Sequence, residues 1–154
     1  MTFFIENSDL FIKLTLAIVL GLSIGTERLF AHKETGMKTH ALVALGACIF
    51  VIISETLALQ YGTEGSFDPS RIASQIIVGI GFLGAGSIMR QGSRPTGLTS
   101  AAGIWLTAGI GMAVGFGFYK LAILGTILVL LILVVFNMIE RPLREKIHFT
   151  HNEK

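Results

Sequence analysis

Glu27 and Arg28 stand side by side at the end of the first apolar run. A glutamate at a helix C-terminus opposes the macrodipole, whereas an arginine suits it. Adjacent residues do not face each other on a helix. Glu27 is therefore expected to need a partner, and Arg28, Lys33, Lys38 and His40 are all near it in sequence. Two readings stand: an interfacial ion pair that fixes helix positions, or a buried carboxylate that binds a cation or a proton.

Asp68-Pro69-Ser70-Arg71 is a second site of interest. Asp at a helix N-cap followed by Pro at the first helical position is a start signal. The other reading places Asp68 at an outward cation site, since magnesium takes oxygen ligands, keeps several waters and needs only one or two carboxylates. Arg71 would itself compensate that charge. Gln75, one turn on, is expected to act as interhelical glue. Lys38-Thr39-His40 and Leu98-Thr99-Ser100 open two further apolar runs. Two such helix starts beside Arg28, Arg90 and Arg94 would suit an anion or a lipid phosphate; plain capping within a basic rim also explains them. Trp105 is expected to be a packing anchor whose indole N–H needs an acceptor.

No enzyme is indicated. There is no nucleophile with a base, no CxxC and no HExxH; His148 and His151 fall in a charged tail and read as solvated. Gly79-x-Gly81-x-x-Gly84 fits a dinucleotide fingerprint, but it sits inside an apolar run with no acidic residue placed for a ribose, so no cofactor is expected. Cys48 is the sole cysteine and reads as a small packing residue.

The elements that must carry these residues are membrane helices. The chain is 52% hydrophobic and only 14% charged, against about 25% charged in soluble domains, and its mean hydropathy is +0.72. A net charge of +2 makes no case for nucleic acid. A span needs about 20 apolar residues, and five segments qualify: Leu10 to Thr26, His40 to Leu59, Ile72 to Met89, Gly97 to Gly117 and Leu121 to Ile139. The first is read as a retained span, because no basic start or cleavage site marks a signal peptide. Gly97 to Ile139 is too long for one span, and Gly115, Gly117 and Tyr119-Lys120 supply a break.

Arg28, Lys33 and Lys38, then Arg90 and Arg94, then Arg141, Arg144 and Lys146 fall on one side only if there are five spans. Basic loops favour the cytoplasm. The expected fold is an all-α integral membrane protein with five transmembrane helices, N-terminus outside and C-terminus cytoplasmic.

Small residues set the expected packing. Gly79, Gly81, Gly84 and Gly86 mark the third span as the crowded central helix. Gly103, Thr107, Gly111 and Gly115 form a ridge on the fourth span, and Ala17, Gly21 and Gly25 repeat that spacing on the first. Ile127 to Phe136, all large, is expected to face lipid or a second subunit.

These residues, taken in order, resemble the MgtC/SapB family of bacterial membrane proteins. The resemblance rests on Glu27-Arg28, on Gly36-x-Lys38-Thr39-His40-Ala41-Leu42-Val43-Ala44-Leu45-Gly46-Ala47, on Arg71-Ile72-Ala73-x-Gln75-Ile76, on Gly79-Ile80-Gly81-Phe82-Leu83-Gly84-Ala85-Gly86, and on Gly97-Leu98-Thr99-x-Ala101-Ala102-x-x-Trp105. It covers about Leu14 to Tyr119. It implies a multi-pass protein of the bacterial inner membrane, linked to magnesium limitation, virulence-associated survival, and control of the F-type ATP synthase and membrane potential. A regulatory role is implied over a transport one. By position, Glu27, Arg28, Thr39, His40, Asp68, Arg71, Gln75, Thr99 and Trp105 are the functional candidates, with Glu27 and Asp68 the residues for a metal.

Two departures stand out. Many relatives carry a soluble C-terminal domain, whereas here residues 140–154 read as a basic cytoplasmic tail after a membrane domain of residues 1–139. Relatives usually place arginine directly before the Gly-Leu of the fourth span, where this chain has Thr96, with Arg94 two residues earlier. The leading expectation is a regulator that docks on another membrane protein such as the F-type ATP synthase. The alternative is a small magnesium or other ion transporter or channel, which with so few spans needs an oligomer, as a homodimer. A lipid-binding structural module is the third reading.

Overall fold

The computed structural model describes residues 7–61, 68, 70–91 and 94–151, and the side chains of residues 91, 94 and 141–151 are outside that description. Glu6, Glu64 and Pro69 lie outside the described residues, as do the side chains of Arg94, Arg141, Arg144, Lys146, His148 and His151.

The chain is all-helical apart from one small hairpin: α1 Ser8–Phe30, α2 Met37–Tyr61, α3 Ser70–Gly86, β1 Met89–Gln91, β2 Arg94–Thr96, α4 Leu98–Gly115 and α5 Tyr119–His151. Four helical stretches, α1, α2, α4 and Tyr119–Glu140 of α5, are long and apolar enough to cross a membrane. α3 has 17 residues and so reaches about 25 Å at 1.5 Å per residue, short of a hydrocarbon core of about 30 Å.

The split between the last two spans falls at Gly117. Phe118 N–H donates to Ala113 O at 2.8 Å and Gly117 N–H to Val114 O at 3.0 Å, which is a Schellman closure with glycine in the left-handed position, φ 75°. α5 continues as backbone helix to His151, well past Ile139. The hairpin pairs Met89 with Thr96, Arg90 with Pro95 and Gln91 with Arg94. It occupies the end of the expected third span: the helix stops at Gly86, three residues short of Met89.

The hub of the bundle is α4, not α3. α4 packs against α1, α2, α3 and α5, and more than half of it is buried. In α3 only Gly84 is buried among the described residues. The reason lies at the glycines. A Cβ on Gly111 would stand 2.8 Å from Ala44 Cα, and one on Gly115 would stand 2.7 Å from Val51 Cβ. α4 and α2 are thus in backbone contact. α1 is drawn equally close to α2, since a Cβ on Gly25 would lie 2.5 Å from Met37 Cα. Gly79, Gly81 and Gly86 have nothing within 4 Å of a Cβ, so the close packing expected of them is not made among the described residues. Gly84 faces Ala101 at ordinary contact distance, 3.7 Å between Cβ atoms.

The apolar core runs along the middle of α1, α2, α4 and α5 through Ala17, Ile24, Ala44, Val114 and Val129. One face of α5, Ala122, Thr126, Val129 and Leu133, is buried at helical spacing. Leu124, Leu128, Leu131 and Phe136 are exposed.

Candidate functional site

Charged and polar side chains gather at the two ends of the bundle, with the apolar core between. At the end formed by the α2–α3 connection and the α4–α5 turn, Lys13 Nζ lies 3.6 Å from Asp9 and 3.7 Å from Glu55. The Tyr119 hydroxyl donates to Asp9 at 3.2 Å. These bonds tie α1, α2 and α5 together and leave Lys13 paired where it enters the apolar run.

The opposite end holds the more unusual cluster. α1 closes in a second Schellman turn: His32 N–H donates to Leu29 O and Lys33 N–H to Arg28 O, each at 3.0 Å. His32 takes the left-handed position at φ 54°, which folds the chain back beside Arg28. Arg28 is 2% exposed. Its Nε donates to Glu27 Oε2 at 2.6 Å, while Nη1 is buried without a hydrogen-bond partner. Of the partners near Glu27 in sequence, it is thus the adjacent Arg28 that meets it. A guanidinium on a long stem reaches sideways around the helix, and with water excluded it takes the nearest carboxylate.

His40 enters from the first turn of α2, fully buried. The Thr107 hydroxyl donates to Gly103 O at 2.8 Å. Its oxygen is thus the acceptor for His40 Nδ1, also at 2.8 Å, which puts the imidazole proton on Nδ1. His40 Nε2 is left as a buried acceptor with no partner. Gly103 makes room for the ring, because a Cβ there would lie 3.4 Å from His40 Cε1. Thr35 is buried in the α1–α2 connection with its hydroxyl likewise unpartnered. A cleft of about 310 Å³ opens beside Arg28 and is shared with Lys33, Thr99, Asn137 and Glu140.

The remaining expected residues are not brought together. Asp68 is exposed and its carboxylate accepts Ser70 N–H at 2.9 Å. That is the geometry of a cap, and hydrogen bonding from the Ser70 side chain, then from its amide, holds the Asp68 carboxyl below its ordinary range. Glu27 and Asp68 sit at opposite ends of the bundle, so they do not share an ion; no cluster of three or more His, Cys, Asp or Glu forms a metal site among the described residues. Arg71 is exposed. Gln75 lines an open apolar groove between α2 and α3 of about 520 Å³, with Leu42, Phe50, Ile76, Gly79 and Leu83. Thr39 borders a separate recess of about 390 Å³ against Ser87 and Gly86. Trp105 is 49% exposed on the outside of α4, not an anchor beside the glycine ridge. Thr35, Asn137 and Glu140 were not singled out by the sequence, Lys33 entered only as a basic neighbour of Glu27, and Thr107 only as a small residue of the ridge. Its hydroxyl among glycines was the one available signal.

Paired charge at the α1 terminus, a buried histidine one turn into α2, and a small-residue ridge joining α2 to α4 thus occur together in a helical membrane bundle. The model of the MgtC family matches residues 14–142. The chain belongs to the MgtC family. It is a multi-pass membrane protein. Among its relatives is YhiD of Escherichia coli (strain K12), described as a candidate magnesium transporter, 40% identical over 145 residues, which is 91% of this chain and 66% of that protein. MgtC of Salmonella typhimurium (strain LT2) is 44% identical over 119 residues, 77% of this chain and 48% of MgtC. An uncharacterised Haemophilus influenzae protein is 40% identical over 145 residues, 92% of this chain and 61% of its own length. The chain thus spans about half to two thirds of the relatives it matches. No solved structure matches this MgtC-family chain.

Proposed function

We propose that this protein is a non-catalytic regulator in the bacterial inner membrane, tied to adaptation to magnesium limitation, that works by docking its helices on another membrane protein. The observation that carries this reading is the separation of its two polar ends by an apolar core. Between Arg28–His40–Thr107 and Lys13–Asp9–Glu55 the bundle is closed by residues such as Ile24, Ala44 and Val114. A conduction path needs polar groups or water along its length, and the middle of the bundle packs Ala17, Ile24, Ala44, Val114 and Val129 in one apolar cluster, with the Thr126 hydroxyl turned back onto Ala122 O. The glycine face of α3 supports docking, because Gly79, Gly81 and Gly86 meet nothing among the described residues and open glycine faces let helices approach closely. The membrane sector of the F-type ATP synthase is the partner implied by the family resemblance, with control of membrane potential as the outcome. Five spans, with the N-terminus outside, keep the basic segments on the cytoplasmic face, and α3 tilts little or thins the bilayer to cross it.

A second reading, magnesium transport by a homodimer, draws on the description of the YhiD relative. The two separate in liposomes loaded with a magnesium-sensitive dye. Folded protein under an imposed gradient is expected to give no flux above empty liposomes. A protein-dependent flux lost in Glu27→Gln would make transport the function and overturn the regulatory reading. In cells, Gly79→Leu is expected to abolish recovery of the membrane partner while the chain itself stays folded.

A further inference from the structure

The cleft beside Arg28 is amphipathic along one helix. Ile132, Leu133 and Phe136 of α5 line its apolar part, and Asn137 and Glu140, one turn further on, line its polar part. Across from them stand Arg28 and Lys33 from the α1 terminus and Thr99 from the first turn of α4.

Three sets of hydrogen-bond donors meet there. Arg28 lines the cleft at 2% exposure with Nη1 lacking an acceptor among the described residues, and a buried guanidinium donor left without one is costly. Lys33 is held at the rim by the turn closed on Arg28 O. α4 starts at Gly97 with φ 87° and no side-chain cap, so the amides of its first turn are open and carry the positive end of the helix dipole.

We propose that this cleft binds a singly charged phosphate group. Glu27 bonds Arg28 at Nε, and Glu140 adds a carboxylate to the wall. These acids offset Arg28 and Lys33, so recognition rests on directed donors rather than on net charge. That selects a phosphate monoanion over a nucleotide polyphosphate. The apolar stretch of α5 leads from the phosphate position into the hydrocarbon, where an acyl chain of an anionic lipid runs. The shared chemistry is the phosphate, which either an anionic phospholipid or free inorganic phosphate supplies. The inference is independent of whether the protein regulates or transports.

The test is native mass spectrometry on the full chain released from vesicles of phosphatidylglycerol and phosphatidylcholine in equal amounts. Wild type is expected to retain phosphatidylglycerol. Lys33→Gln is expected to bind about tenfold more weakly, the loss of one charge-assisted hydrogen bond. Lys38→Gln, at the same end but outside the cleft, is expected to retain the lipid as wild type does. Arg28→Lys, which keeps the charge but not the fork, is expected to lose it; should that variant fail to fold, the two exposed lysines still decide. Thermal unfolding with inorganic phosphate against chloride at equal ionic strength identifies the source. Stabilisation by phosphate without selection of phosphatidylglycerol, sensitive to Lys33→Gln, assigns the site to free phosphate. Retention of neither ligand, or equal losses from Lys33→Gln and Lys38→Gln, would overturn the proposal.

Discussion

A single methyl group distinguishes the two glycine-rich helices. At Gly111 a Cβ would stand 2.8 Å from Ala44 Cα and 2.9 Å from its carbonyl carbon, whereas ordinary contact begins at 3.4 Å. Both obstacles are backbone, so no rotamer relieves them and α2 and α4 must separate. Spreading that contact also loosens the neighbours at Gly115 and Gly103. Overpacking of this kind costs about 1–3 kcal/mol, and a lost helix contact along the hub falls at the upper end. At Gly79 the same methyl meets nothing within 4 Å, so Gly79→Ala is expected to be neutral or to stabilise by up to about 1 kcal/mol through helix propensity. The comparison is made by denaturant unfolding in one detergent, followed by circular dichroism, with both variants prepared as the full chain. Gly111→Ala unfolding with wild-type stability would refute the assignment of α4 as hub. So would a loss at Gly79→Ala as large as that at Gly111→Ala.

Further outcomes follow from the two ends of the bundle. His32→Gly relieves a left-handed position and is expected to raise stability by about 1 kcal/mol, read as a higher melting temperature; a lower one refutes the strain. Thr107→Val removes the acceptor of His40 Nδ1 and is expected to cost about 1–3 kcal/mol, with Thr107→Ser restoring most of it in the same melts. Asp68 is held below its ordinary value of 3.8 by Ser70. The sign follows: its cap is fully present above that value and is lost as pH falls through the lower folded value. The Ser70 amide resonance in wild type should therefore titrate with a midpoint below pH 3.8, and in Asp68→Asn, which still caps, it should not titrate at all.

Helix number and class were legible because they depend on the solvent: long apolar runs divided by charged turns leave the backbone no choice within a bilayer. The break at Gly117 was legible for the same reason, since one helix of that length would overrun the membrane. The hub was not. Glycine spacing states that a close approach is permitted, not that a helix arrives; α3 and α4 carry similar ridges, yet α3 packs against α2 and α4 whereas α4 packs against α1, α2, α3 and α5. Which partner Glu27 takes was left open among Arg28, Lys33, Lys38 and His40, because the rule for helix neighbours describes Cβ positions, and an arginine fork acts well beyond its own Cβ. The hairpin was hidden inside apolar and basic residues that a span or a loop would accept equally, although Gln91-Gly92-Ser93-Arg94 has the length of a tight hairpin turn. Thr99 was identified and reaches the cleft, but Asn137 and Glu140, at the end of the last span, meet it only through the packing of α5 beside the α1 terminus, which no local pattern signals.

The open groove between α2 and α3 has a mechanical consequence. α3 is held chiefly by α4, with Gly84 against Ala101 at the contact, while its other side already looks onto unfilled space. Swinging α3 away from α2 would uncover little surface beyond what is already bare, so among the five helices its displacement meets the least resistance. Compliance in this bundle is thus concentrated in one short helix, and the hairpin that follows it joins that helix directly to the start of the stiffest one.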